Sequence, residues 1–260
     1  MQTIHLTSQN MQQWQHHFPQ QTVAIGFFDG LHKGHLSVIQ EAKRLADDYG
    51  VSSSVMSFFP HPKTVLSKGA APFRYLMPLE EKQAVLEELG IDTLFLVHFD
   101  RDIAGIPPAD FVETFLTGLN AIHVVCGGDF HYGSGGSGNT QSLAEQGKGH
   151  FNISVVELVE YGGEKISSTR IRQALAQGNI SILRKLLGKF YSVNWCPKNG
   201  LLPFYSLPAP GKYEVKLHHN DETVVCKAQV LNDKEAKFTY DFSRWSHGVK
   251  IEWIRVVETL

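Results

Sequence analysis

His32 and His35 bracket Gly34 in the run Gly26-Phe27-Phe28-Asp29-Gly30-Leu31-His32-Lys33-Gly34-His35. The run joins a short β-rich segment, 22–26 (TVAIG), to a stretch of helical periodicity. A helix start offers backbone N–H groups and positive dipole potential. Glycine lets a polyphosphate come close to the backbone, and two imidazoles can donate to its oxygens. Such a site suits an electrophilic α-phosphate whose charge grows in the transition state. The competing reading is two surface histidines in a glycine-rich turn. A metal site is disfavoured, since no carboxylate or cysteine stands at ligand spacing.

A second run, Lys165-Ile166-Ser167-Ser168-Thr169-Arg170-Ile171-Arg172, opens a helix expected over 169–177, with Ser167 or Ser168 as N-cap. Hydroxyls, N–H groups, Lys165 and Arg172 make it a second phosphate cradle. The alternative is a plain capped helix with two exposed arginines. Arg172 is preferred as ligand, and Arg170 is expected to point to solvent. A third run, 127–138 (GGDFHYGSGGSG), is too long and glycine-rich for a simple turn and is expected to bind or cover a ligand. Asp129 would hydrogen-bond a ligand or hold the loop, and Phe130 is either a stacking face or the loop's apolar anchor. The fourth, 58–62 (FFPHP), makes a rigid apolar wall able to flank a flat ring. Alternation assigns Phe58 to the core and leaves Phe59 and His61 as ligand candidates.

These runs need elements to hold them. Leu36, Ile39, Ala42, Ala46 and Tyr49 recur at helical spacing, and Gly50 sits where a C-cap belongs. Strands are expected at 22–26, 51–59, 93–98 and 121–126. Helices are expected from Pro78 to Gly90 and over 108–119, the latter with Phe111, Phe115 and Leu119 on one face. Such alternation implies a parallel, Rossmann-like α/β sheet with right-handed crossovers, whose ligands lie beyond the strands' carboxyl ends. Past Gly188 the pattern changes. Four prolines mark 195–210 as a linker or irregular crossing, and period-2 stretches at 212–218, 222–231, 235–242 and 249–257 imply a small antiparallel sheet. Domains are therefore expected at 1–188 and 189–260, the second too small for a secure core of its own. It is expected to pack on the first domain or to make a homo-oligomer.

With 42% hydrophobic and 19% charged residues, general disorder is excluded. A formal net charge of −2 argues against a broad nucleic-acid surface. No stretch approaches the roughly 20 apolar residues of a membrane span, and the first 21 residues lack the basic flank and apolar core of a signal peptide. Three scattered cysteines suggest neither a disulfide framework nor a zinc site. A cytoplasmic protein acting on small molecules is expected.

The runs GFFDGLHKGH, FFPHP, PLEEKQAVLEELGID, ADFVETFL, GGDFHYG and ISSTRIR, in this order over about 20–190, resemble the bacterial FAD synthetases (FMN adenylyltransferases) of the HxGH nucleotidyltransferase superfamily. The resemblance implies that His32, His35 and Arg172 hold the ATP phosphates during catalysis. Gly26, Phe27, Asp29, Gly34, Lys165, Ser167, Ser168 and Thr169 complete the ATP site, with Asp29 and the glycines shaping the turn. Phe59, His61, Pro62, Asp129, Phe130 and Tyr132 would border FMN. Asp129 stands where family members often carry asparagine or another residue. The implied reaction is ATP + FMN → FAD + pyrophosphate, with Mg²⁺ bridging the phosphates and no protein metal ligand. In most such enzymes a riboflavin kinase barrel follows, marked by Gly-Phe-Pro-Thr-Ala-Asn. That motif is missing here, so adenylylation without kinase activity is expected. The alternatives are a non-catalytic flavin-binding paralogue and a transferase with another phosphate-bearing acceptor.

Overall fold

A computed structural model describes residues 1–66, 73–203, 205–245 and 248–259. Contacts divide the chain into two compact units: 1–28, 34–73 and 80–158, and 29–33, 74–79 and 159–260.

The first unit holds a six-stranded parallel sheet of β1 (Gln2–Leu6), β2 (Gln21–Ile25), β3 (Ser52–Phe59), β4 (Thr93–His98), β5 (Ala121–Gly127) and β6 (Asn152–Val156). Their spatial order is β1-β4-β3-β2-β5-β6. The four inner strands are those expected from the sequence. β2 is buried at every position, as a strand covered on both faces must be. The two edge strands escape the sequence reading because they are nearly without buried residues; in β1 Leu6 alone is buried.

The Lys33–Tyr49 helix follows β2 and buries Val38, Ile39, Ala42, Leu45 and Ala46. Of the residues at helical spacing, Leu36 is half-buried and Tyr49 half-exposed. Gly50 takes φ +65°, the left-handed conformation that closes a helix. The expected helix over 108–119 is an α-turn, Pro108–Phe111, running into a π-helical turn, Val112–Thr117. The wider turn still buries Phe111, Phe115 and Leu119 together.

In the second unit, β7 (Glu160–Tyr161) and β8 (Glu164–Lys165) form a hairpin before the helices Ser168–Ala176 and Ile180–Leu187. An antiparallel sheet follows, of β9 (Ser192–Cys196), β10 (Gly200–Leu201), β11 (Gly211–His219), β12 (Glu222–Val230), β13 (Ala236–Phe238) and β14 (Val249–Thr259). Its order is β10-β9-β14-β11-β12-β13. Two expectations are corrected. The proline-rich 195–210 is not all linker, because Trp195 lies in β9 and pairs with Leu201 of β10. The run 235–242 is a strand only at Ala236–Phe238 before a 3₁₀ turn, Phe242–Arg244.

The last stretch of this unit starts at Val159, and its core is shared between helices and sheet. Ile171, Ala174, Leu175, Leu183 and Leu187 form one apolar cluster with Tyr213, Val215, Ile251 and Trp253. The small tail sheet thereby gains the apolar partner that its length alone would not supply.

Candidate functional site

Strand order reverses at β2. Successive connections run from β2 to β3 and β4 on one side, then to β5 and β6 on the other. Ligands of open α/β sheets bind at that switch, beyond the strands' carboxyl ends. The glycine turn after β2 and the 127–138 loop after β5 flank it.

In the first unit, Gly26 and Phe27 are half-buried at the exit of β2. The Phe27 carbonyl accepts from the Ser57 hydroxyl at 2.9 Å and from Lys82 Nζ at 3.1 Å. Phe28 is buried with φ +48°, a strained value for an aromatic residue. Its ring meets that of His35 edge-on at 5.4 Å. His35 and Gly34 are half-buried.

The aromatic wall is assembled here too. Phe58 is buried in the core, as alternation implied, while Phe59, His61 and Pro62 are half-buried. The His61 ring lies 5.0 Å from Phe27 and stacks on Phe73 at 3.9 Å. In the loop after β5, Asp129 is exposed and Phe130 is half-buried, stacked at 5.7 Å on Tyr132. Tyr132 is only 5% exposed, and its hydroxyl donates to Gln146 at 2.7 Å. Burial raises its pKa. Its ring packs as a support beneath Phe130. Burial also pushes the Cys126 thiol up to about 12, which excludes it as a nucleophile at neutral pH.

In the second unit the other half of the histidine turn meets the serine–arginine helix start, more than 130 residues downstream. Asp29 is 5% exposed. One carboxylate oxygen accepts the Leu76 N–H at 2.9 Å, and the other pairs with Arg172. The Asp29 carbonyl accepts the Ser168 hydroxyl at 3.0 Å, and Arg172 returns a bond to the Ser168 carbonyl at 3.2 Å. Gly30 has φ +84°, and a Cβ there would lie 2.9 Å from that of Leu76, so only glycine fits. His32 is 4% exposed, which removes the reading of both histidines as chance surface residues.

Ser167 caps the Ser168–Ala176 helix, accepting from the Arg170 N–H. Ser168 and Lys165 are half-buried and Thr169 is exposed. Arg170 corrects the expectation of a solvent-pointing side chain. It donates at 2.8 Å to the carbonyls of Tyr161 and Glu164 and pairs with the Glu164 carboxylate at 3.1 Å, bracing the β7–β8 hairpin. Beside Arg172 a cleft of about 340 Å³ is lined by Arg74, Leu76, Leu175, Leu207 and Pro208, with Arg74 paired to Asp233. Arg74 and Leu76 were missed in the sequence because the 73–78 segment has no periodicity. Lys82 and Ser57 were missed too, although a lysine spaced four residues before Leu86 on an apolar face was a visible sign. Among the described residues, no group of three or more His, Cys, Asp or Glu could hold a metal ion. Nor is any helix among them long and apolar enough to cross a membrane.

A family model described as FAD synthetase matches residues 14–170. A bifunctional riboflavin kinase/FMN adenylyltransferase of Bacillus subtilis is 32% identical, covering 100% of this chain and 90% of its own length. The Listeria monocytogenes protein of the same name is 34% identical, covering 89% of this chain and 82% of its own. A solved structure from Streptococcus pneumoniae, titled a macrolide-efflux protein, superposes with a TM-score of 0.85 at 26% identity, covering 98% of this chain and 99% of its own.

Proposed function

The chain belongs to the FAD synthetase family, and from that membership we propose that it transfers the adenylyl group of ATP to FMN, releasing pyrophosphate, and does not phosphorylate riboflavin. The observation that carries this reading is the meeting of Asp29 with Ser168 and Arg172. The 29–33 part of the first run and the 167–172 run, far apart in sequence and each suited to phosphate, meet in the second unit.

His32, His35 and the N–H groups of the turn hold the triphosphate. Ser167, Ser168, Thr169, Lys165 and Arg172 stabilise the negative charge that builds on the departing pyrophosphate. Asp29 contributes indirectly: both its oxygens are engaged inside the protein, so it fixes Arg172 rather than touching ATP. FMN brings a phosphate that is largely dianionic at pH 7. Attack by its oxygen on the α-phosphorus therefore needs no protein base. The chain's task is alignment and charge neutralisation. Mg²⁺ enters with ATP, and no protein ligand is assigned to it. Phe59, His61, Pro62, Asp129 and Phe130 border the flavin, with Tyr132 supporting from behind. The protein acts in the cytoplasm on these small molecules.

The absence of kinase activity is supported by the missing Gly-Phe-Pro-Thr-Ala-Asn stretch. Incubation with ATP, Mg²⁺ and either FMN or riboflavin, followed by chromatography, tests both halves. FAD is expected from FMN, and no FMN from riboflavin. Tight flavin binding without pyrophosphate release would replace the enzyme by a binding protein. Turnover of another phosphate-bearing acceptor in place of FMN would change the substrate.

A further inference from the structure

A lysine on the core side of a helix is uncommon, because a buried ammonium must be solvated by protein groups. Lys82 lies in the Leu79–Glu88 helix, where it and Leu86 are the buried residues. It is 7% exposed. Its Nζ donates to the Phe27 carbonyl and to Ser57 Oγ, both at 3.1 Å, and Ser57 Oγ donates in turn to the same carbonyl at 2.9 Å. The three groups close a triangle on one peptide of the turn that leaves β2.

That peptide precedes the strained Phe28, whose φ of +48° holds only where surroundings over-determine it. In a trans peptide the carbonyl and the following N–H point in opposite directions. Fixing the Phe27 carbonyl toward Lys82 therefore fixes the Phe28 N–H the other way.

We propose that Lys82 is a positioning residue for ATP: it sets the conformation of the 26–28 turn without touching the nucleotide. This rests on the adenylyltransferase reading for the identity of the ligand.

The test compares wild type, Lys82→Met, Ser57→Ala and the double variant in the full chain. Binding of the non-hydrolysable analogue α,β-methylene-ATP with Mg²⁺ is measured by calorimetry, and KM for ATP and for FMN by FAD formation. Lys82→Met should raise the analogue's Kd and the ATP KM about tenfold, as for one lost charge-assisted contact. The FMN KM should stay within about twofold. Ser57→Ala should shift the same quantities less, and the double variant should fall short of additivity, because both donors hold one carbonyl. An unchanged Kd in folded Lys82→Met, or equal weakening of both substrates, overturns the proposal. If Lys82→Met does not fold, Ser57→Ala decides, and an unchanged Kd there overturns it. If wild type binds the analogue and the variants weaken it while no FAD forms, the reaction assignment fails and the role of Lys82 stands.

Discussion

Asp29 illustrates how a carboxylate can serve an anion site. Placed alone beside phosphate it would repel, yet with Arg172 on one oxygen and the Leu76 N–H on the other it becomes a bracket for a cation. Asp29→Asn should keep the Leu76 bond and lose the charge pair, raising the ATP KM about tenfold in steady-state assays. His35→Ala should leave FMN binding intact and lower kcat by about two to three decades, the usual loss for a missing transition-state donor; an unchanged kcat removes His35 from the reaction. The buried His123, bonded to Ser154 at 2.9 Å, has a pKa held below its ordinary 6.5, chiefly by burial, with Glu41 opposing and Arg44 assisting. Once unfolded, it binds a proton near pH 6.5. The unfolded chain is therefore favoured as pH falls past that value, until the folded form protonates as well. Melting temperatures from pH 7.5 to 5 should fall more steeply for wild type than for His123→Leu.

At the level of elements, most of what positions the site could be read before any coordinates. β2, the Lys33–Tyr49 helix and the cap at Ser167 follow from β-rich runs, periodicity and hydroxyl placement. What escaped reading has physical reasons. β1 and β6 carry little buried surface, so no pattern announces them. The π-turn at Val112–Thr117 keeps the same apolar residues inside as an α-helix would, so hydrophobic spacing cannot reveal it. Arg170 and Arg172 are two apart on one helix, and nothing local says which turns toward Asp29 and which toward the β7–β8 hairpin; partners distant in sequence decide it. Ser167→Ala removes the cap accepting from Arg170 and should cost about 1 kcal/mol in denaturant unfolding.

On the scale of the whole molecule, each unit has its own apolar cluster, one built on the parallel sheet and one between the 166–187 helices and the antiparallel sheet. Trp253 is fully buried in the second. Trp253→Ala should destabilise that unit by about 3–5 kcal/mol, the range for losing a large aromatic from a packed interior, read as an earlier transition in chemical denaturation. The shared core carries a broader consequence. Ile171 and Leu175 lie on the same short helix as Ser168 and Arg172, and their inner side is covered by the antiparallel strands. Trimming the chain after 188 would strand that greasy side in water. Residues 189–260 would then be retained by selection for the solubility and shape of that helix face alone, and drift within them should spare the inward positions.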